Sequence, residues 1–176
     1  MISAQESGIG GFLLLFAIVL VLNIIVALFN TPRAYLVMTS PDLAALGRIY
    51  PAYPFVVTAE FVFALVRFAG LVIGLVLLVR RARRAPAFFV GFFGAVIVFT
   101  MADMYFGSRF TDAAHVYLTQ HGQSTAGVDQ AHRVARYQGI GSLMWAAAWL
   151  LYWRSSERVR LTFAPGPGMT EIPTQS

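Results

Sequence analysis

The chain has 176 residues, of which 58% are apolar or aromatic and only 12% are charged, and its net charge is +5. Soluble domains carry about 25% charged residues, so this balance, with a mean hydropathy of +0.68, excludes a water-soluble globule, a disordered chain and a fibrous repeat. The absence of cysteine excludes disulfides, thiolate zinc sites, iron–sulfur clusters and thiol catalysis, which leaves a membrane protein of one domain.

A helix needs about 20 apolar residues to cross the ~30 Å hydrocarbon layer. The first such run covers 12–29 and is interrupted only by Asn23. No Lys or Arg precedes it, and it ends in Asn30-Thr31-Pro32 without a small-residue cleavage site, so a retained span is expected in place of a signal peptide. Gly8, Gly10 and Gly11 read as a flexible approach to the membrane, because no strand precedes them to make a phosphate loop. In the connection that follows, Ser40-Pro41 predicts a short interfacial helix over 42–47.

The second run covers 54–79 and holds Glu60 and Arg67. The turn 80–85 carries four Arg in six residues and makes the second and third spans an antiparallel pair. The third run covers 86–106 and holds Asp103. The segment 107–133 is the most polar of the chain: Thr111-Asp112 predicts a short helix through Leu118, and 122–127 reads as a turn. The fourth and shortest run covers 137–153, and the Pro/Gly-rich residues 164–176 read as a flexible tail. Beta-barrel strands would alternate in polarity, which these runs do not. The expected fold is an all-α bundle of four transmembrane helices formed by 1–163, with short interfacial helices in the outer loops.

Every basic residue is Arg, and most lie at the ends of apolar runs, where they determine topology; no basic face interleaved with aromatics suggests nucleic acid. Arg80, Arg81, Arg83, Arg84, Arg154, Arg158 and Arg160 fall on one side, against Arg33, Arg48, Arg109, Arg133 and Arg136 on the other. The density at 80–84 places that turn and both termini in the cytoplasm by the positive-inside rule. The segment after the fourth span, Arg154 to Arg160, anchors to anionic headgroups on the same grounds.

Charges at membrane depth are the informative residues, since each costs about 2.5–3.5 kcal/mol at a helix centre. At 1.5 Å per residue from the Arg turn, Arg67 lies ~20 Å up, while Glu60 and Asp103 lie ~30 and ~27 Å up. Asn23, Thr100 and Ser142 share the level of Arg67. Glu60, Arg67, Gly70 and Gly74 fall on one face of the second helix, and Gly70 and Gly74 form a G-x-x-x-G pair that admits a close neighbour. That face is expected to point into the bundle, with Arg67 reaching toward Glu60 or Asp103. Such a stripe serves either as a structural ion cluster or as a site for an anionic headgroup, a small anion or a proton.

His115, His121 and His132 lie outside the spans, so haem ligation between helices is excluded, and with Asp112 they match no metal-binding spacing. No G-x-S-x-G or H-E-x-x-H constellation exists, and no catalytic residue, metal or cofactor is expected.

The segment 8–15, Gly-Ile-Gly-Gly-Phe-Leu-Leu-Leu, resembles the start of a bacterial family of small inner-membrane proteins, domain of unknown function 2569. Trp149-Leu-Leu-Tyr152 followed by Ser156-x-Arg158-Val159-Arg160-x-Thr162-Phe163 is similar to the ending of that family at every fixed spacing. Glu60-Phe61, the basic turn before Pro86, and Asp103 are similar to its remaining landmarks. Departures are Phe12 for the usual Trp, Leu151 for a common Pro, and Arg67, which is not a family feature. The resemblance implies four inner-membrane spans and no particular activity. The leading expectation is a non-enzymatic accessory or assembly subunit that contacts lipid and other membrane subunits, or its own copies. The alternative is a small transporter or a lipid- or anion-binding protein using Glu60, Arg67 and Asp103.

Overall fold

The computed structural model describes residues 11–163; the tail 164–176, Gly8 and Gly10 lie outside the described residues. Six helices follow one another: α1 (Phe12–Met38), α2 (Leu43–Ile49), α3 (Tyr53–Val79), α4 (Ala85–Gln120), α5 (Ala126–Ser155) and α6 (Glu157–Phe163). No strand occurs among the described residues. Three helices, α1, α3 and α4, are long and apolar enough to cross a membrane, with mean hydropathies of 3.2, 2.7 and 2.1 in their apolar windows. The helix α5, which contains the expected fourth span, does not reach that standard, because Gln138, Gly139, Gly141 and Ser142 dilute its apolar run.

Two helices run past the expected span ends. α1 continues through Pro32 to Met38, although proline lacks the N–H that would bond to the carbonyl four residues back. The Thr31 hydroxyl donates to the Ala27 carbonyl at 2.8 Å, so one carbonyl beside the proline gains a second donor. The polar segment 107–133 is helical on both sides of a short turn, and the separate short helix expected after Thr111-Asp112 does not exist. α4 runs unbroken for 36 residues, and only 121–125 separate it from α5. At 1.5 Å per residue α4 is ~54 Å long, well beyond the ~30 Å hydrocarbon layer, so α4 and α5 continue as a helical hairpin past one end of the apolar bundle. Gly122 terminates α4 with φ 63°, a left-handed value suited to glycine, while Gln123 N–H returns to the Leu118 carbonyl at 2.9 Å. Two cross-links rivet the hairpin: His132 Nδ1 lies 3.1 Å from the Thr111 hydroxyl, and His115 Nε2 lies 2.9 Å from Asp129.

α3 packs along α1 on one side and along α4 on the other, and α4 packs along α5. Between α3 and α4, Arg81 adopts φ 49° and lets Ala82 N–H bond back to the Leu77 carbonyl at 2.9 Å. α4 then starts with proline in its first turn, where the missing N–H is harmless.

The core lies at the end of the bundle that carries this Arg turn. Phe16 of α1, fully buried, meets Phe89 and Phe93 of α4 and Trp149 and Trp153 of α5 with ring centroids 4.6–6.1 Å apart, edge to face. Leu71, Leu78, Ala85, Val159 and Phe163 complete that layer. α6 closes it: the Ser156 hydroxyl accepts from Val159 N–H at 3.4 Å, and Phe163 packs 5.8 Å from Trp153. Toward the other end the bundle loosens, and α3 and α5 each pack on α4 without packing along one another.

The Gly70–Gly74 face is filled by side chains of α4, not by a neighbouring backbone. A Cβ on Gly70 would fall 2.5 Å from the Phe92 ring, and one on Gly74 would fall 2.7 Å from the Phe89 ring. The face points into the bundle, where the glycines make room for this chain's own phenylalanines.

Candidate functional site

Where the bundle loosens, a cavity of about 480 Å³ opens between α3, α4 and α5, a size suited to a small organic ligand. Its floor is Glu60 of α3 and Asp103 with Met104 of α4; its upper wall is Tyr50, Tyr53, Phe110, Thr111 and His132; Arg136 stands at the side. The register of the helices explains this grouping. Phe63 of α3 stacks on Phe99 of α4 at 3.7 Å, and one turn toward the far end the same seam brings Glu60 to Asp103. Both carboxyl groups line the cavity floor, so the two acids face the same space. The Thr111–His132 pair fixes the α4–α5 register, so Arg136, four residues further along α5, stands opposite Gly107, four residues back along α4. Asp103 is one helical turn below Gly107, so Arg136 stands ~6 Å above the acid pair along the axis. Tyr53 stacks on Phe110 with centroids 4.5 Å apart, giving the cavity an aromatic side.

The cluster expected from the sequence assembles only in part. Glu60 and Asp103 meet, but neither forms an ion pair with Arg67, which corrects the expected reach of that guanidinium. Among the described residues Arg67 has neither a salt bridge nor a hydrogen bond, although it is half-buried midway along α3. Asn23 and Thr100 turn back on their own helices: Asn23 Nδ2 donates to the Val19 carbonyl at 2.9 Å, and the Thr100 hydroxyl to the Val96 carbonyl at 2.8 Å. Ser142 is half-buried on α5 and Thr100 is buried, and neither is joined to the acid pair.

Most of the basic residues at the Arg-turn end are exposed. Arg80, Arg81, Arg83 and Arg84 are exposed at the α3–α4 turn, and Arg154 and Arg160 are exposed at the same end, Arg160 lying 3.6 Å from Glu157. Arg158 differs, since it is half-buried with its guanidinium against Gly11. Of the expected loop residues, His121 Nδ1 lies 2.8 Å from the Tyr117 carbonyl and Asp112 is exposed. Among the described residues no three His, Asp or Glu side chains converge as metal ligands.

Sequence reasoning left Tyr53, Thr111, His132 and Arg136 out of the site. The signal was present as helical spacing, since His132 and Arg136 are i and i+4, as are Thr111 and His115 on the facing helix.

Among the described residues, an all-helical architecture with three helices long and apolar enough to cross a membrane defines the class, a helical membrane-span protein. Residues 6–164 match the family described as Protein of unknown function (DUF2569), and the chain belongs to that family. No curated protein and no solved structure matches it. The resemblance noted at the two ends of the sequence has a spatial counterpart. Phe12 lies 6.0 Å from Tyr152, Phe16 lies 4.6 Å from Trp149, and Gly11 abuts Arg158, so the opening and closing motifs form one packed unit.

Proposed function

We propose that this chain is a non-enzymatic accessory or assembly subunit of a complex in the bacterial inner membrane. In this reading it crosses the bilayer four times, with both termini and the 80–84 turn in the cytoplasm. The fourth crossing is α5, held along α4 for its whole apolar stretch and flanked by Arg136 and Arg154, which lie ~27 Å apart at 1.5 Å per residue.

The observation that carries the subunit reading is Arg67. It stands ~20 Å from the Arg turn, too deep to reach either surface with ease, and among the described residues no acid pairs with it. An embedded guanidinium is stabilised by a carboxylate or by carbonyl oxygens, and the missing group is supplied by an acidic side chain on a span of the partner. The alternative three-member cluster of Glu60, Arg67 and Asp103 is not part of this reading, because its acids pair without the Arg.

Purification of the full chain in mild detergent tests the proposal, with a photo-crosslinking residue placed at Val66. A membrane protein captured by the wild type and by Arg67→Lys, and lost in Arg67→Leu, is the expected result. Capture of a second copy of this chain instead would make the partner a homo-oligomer. A lone monomer with no crosslinked protein overturns the reading.

A further inference from the structure

We propose that the cavity between α3, α4 and α5 binds a zwitterion that carries a primary ammonium and an anionic group, the ammonium on the Glu60–Asp103 pair and the anion on Arg136.

The charges of the lining are ordered along the cavity. The acid pair forms the floor and presents two carboxyl groups whose oxygens accept hydrogen bonds. Arg136 stands one turn higher; it is exposed, and among the described residues it has no ion pair or hydrogen bond. A guanidinium with all its donors free, beside an acid pair that it does not touch, leaves room for a molecule that is cationic at one end and anionic at the other. A simple anion would meet the acids, and a simple cation would meet Arg136. A primary ammonium, with three N–H donors, suits two carboxyl groups better than a quaternary one, which has no donor to give. The stacked Tyr53 and Phe110 rings provide an apolar side against which the linking carbons pack.

Two sources have this chemistry. Because α3 and α5 do not pack along one another, the cavity opens sideways between helices, which admits the headgroup of an aminophospholipid such as phosphatidylethanolamine from the bilayer. Its far mouth also admits a water-borne zwitterion.

The test uses the full chain in detergent with matched phosphatidylethanolamine, phosphatidylcholine and phosphatidylglycerol, and counts retained lipid by native mass spectrometry. O-phosphoethanolamine is titrated in parallel against the thermal midpoint. A charge-assisted hydrogen bond changes affinity by roughly tenfold, so phosphatidylethanolamine should be retained about tenfold over the other two lipids. Loss of that preference is expected in Glu60→Gln/Asp103→Asn, and weaker retention of all three lipids in Arg136→Gln, with His121→Gln as an unaffected control. A midpoint shift with O-phosphoethanolamine and no lipid preference assigns the site to a water-borne ligand; the reverse assigns it to the membrane. Equal retention of all three lipids together with no shift overturns the proposal. So does a preference that survives Glu60→Gln/Asp103→Asn. Should the double variant fail to fold, the wild-type comparison of ethanolamine with choline headgroups decides alone: the same retention of both, with no shift, sinks the site. Arg67→Leu should leave the preference intact, which separates this site from the subunit contact on which the proposed function rests.

Discussion

Glu60 of α3 and Asp103 of α4 line one cavity floor across the seam between the two helices, and neither is ion-paired to Arg67. The chain has no cysteine, so the pairing can be tested on a clean background. A Glu60→Cys/Asp103→Cys variant should be joined by a short bifunctional thiol reagent in intact membranes, as read by peptide mass spectrometry. Glu60→Cys/Val98→Cys, with Val98 exposed on another face of α4, should not be joined.

Much of this arrangement could be read from the sequence. Counting residues from the Arg turn put Glu60 and Asp103 at nearly the same depth, and depth is what antiparallel neighbours share. Arg67 was misread because spacing along one helix says which face a residue occupies but not what its long side chain meets. The segment 107–133 was misread for a different reason. Its polarity suggested a loop, yet Thr111, His115, Asp129 and His132 bond across two helices, and no proline interrupts the segment. The Gly70–Gly74 pair was read as a close-packing face, but which side chain would fill it depended on the α3–α4 register.

That register predicts unequal effects of adding one methyl group. Gly74→Ala pushes against Phe89, which is fully buried and has no room to move, and should cost about 1–3 kcal/mol by detergent-titrated unfolding. Gly70→Ala pushes against Phe92, which is only half-buried and can turn away, so its cost should be smaller. Gly91→Ala and Gly94→Ala, where nothing lies within 4 Å, should be neutral or stabilising by up to about 1 kcal/mol.

The aromatic layer at the Arg-turn end should dominate stability. Phe16 touches four rings and is fully buried, so Phe16→Ala should cost about 3–5 kcal/mol. Phe12→Ala, at a side chain 65% exposed, should cost far less in the same unfolding assay.

The projecting hairpin predicts a pattern of amide exchange. Amides of 108–118 and 130–136 should exchange slowly, as helix interiors do, while 122–125 exchange within seconds. His115→Ala should speed exchange near the hairpin tip with little effect on global stability. A half-exposed His–Asp contact contributes about 1 kcal/mol or less.

The fourth crossing can be tested by labelling from each side. With an impermeant maleimide applied to intact cells, Ser124→Cys should react from outside, while Ala82→Cys and Ser155→Cys should react only after the membrane is opened. If Ser124→Cys and Ser155→Cys react from the same side, α5 does not cross and the chain spans the membrane three times.

The contact of Phe16 with Trp149 and Trp153 has a consequence for how the protein is made. A ribosome delivers Phe16 long before either tryptophan exists, so the earliest helix must wait in the bilayer with its key aromatic side chain unmated. The α3–α4 hairpin, joined by a short turn, can dock as soon as it emerges, whereas the central lock closes only after synthesis is nearly complete. A nascent chain stalled before Trp149 should therefore hold α1 only through α3 and the phenylalanines of α4, and truncation before α5 should yield a protein that inserts but is cleared by membrane proteases.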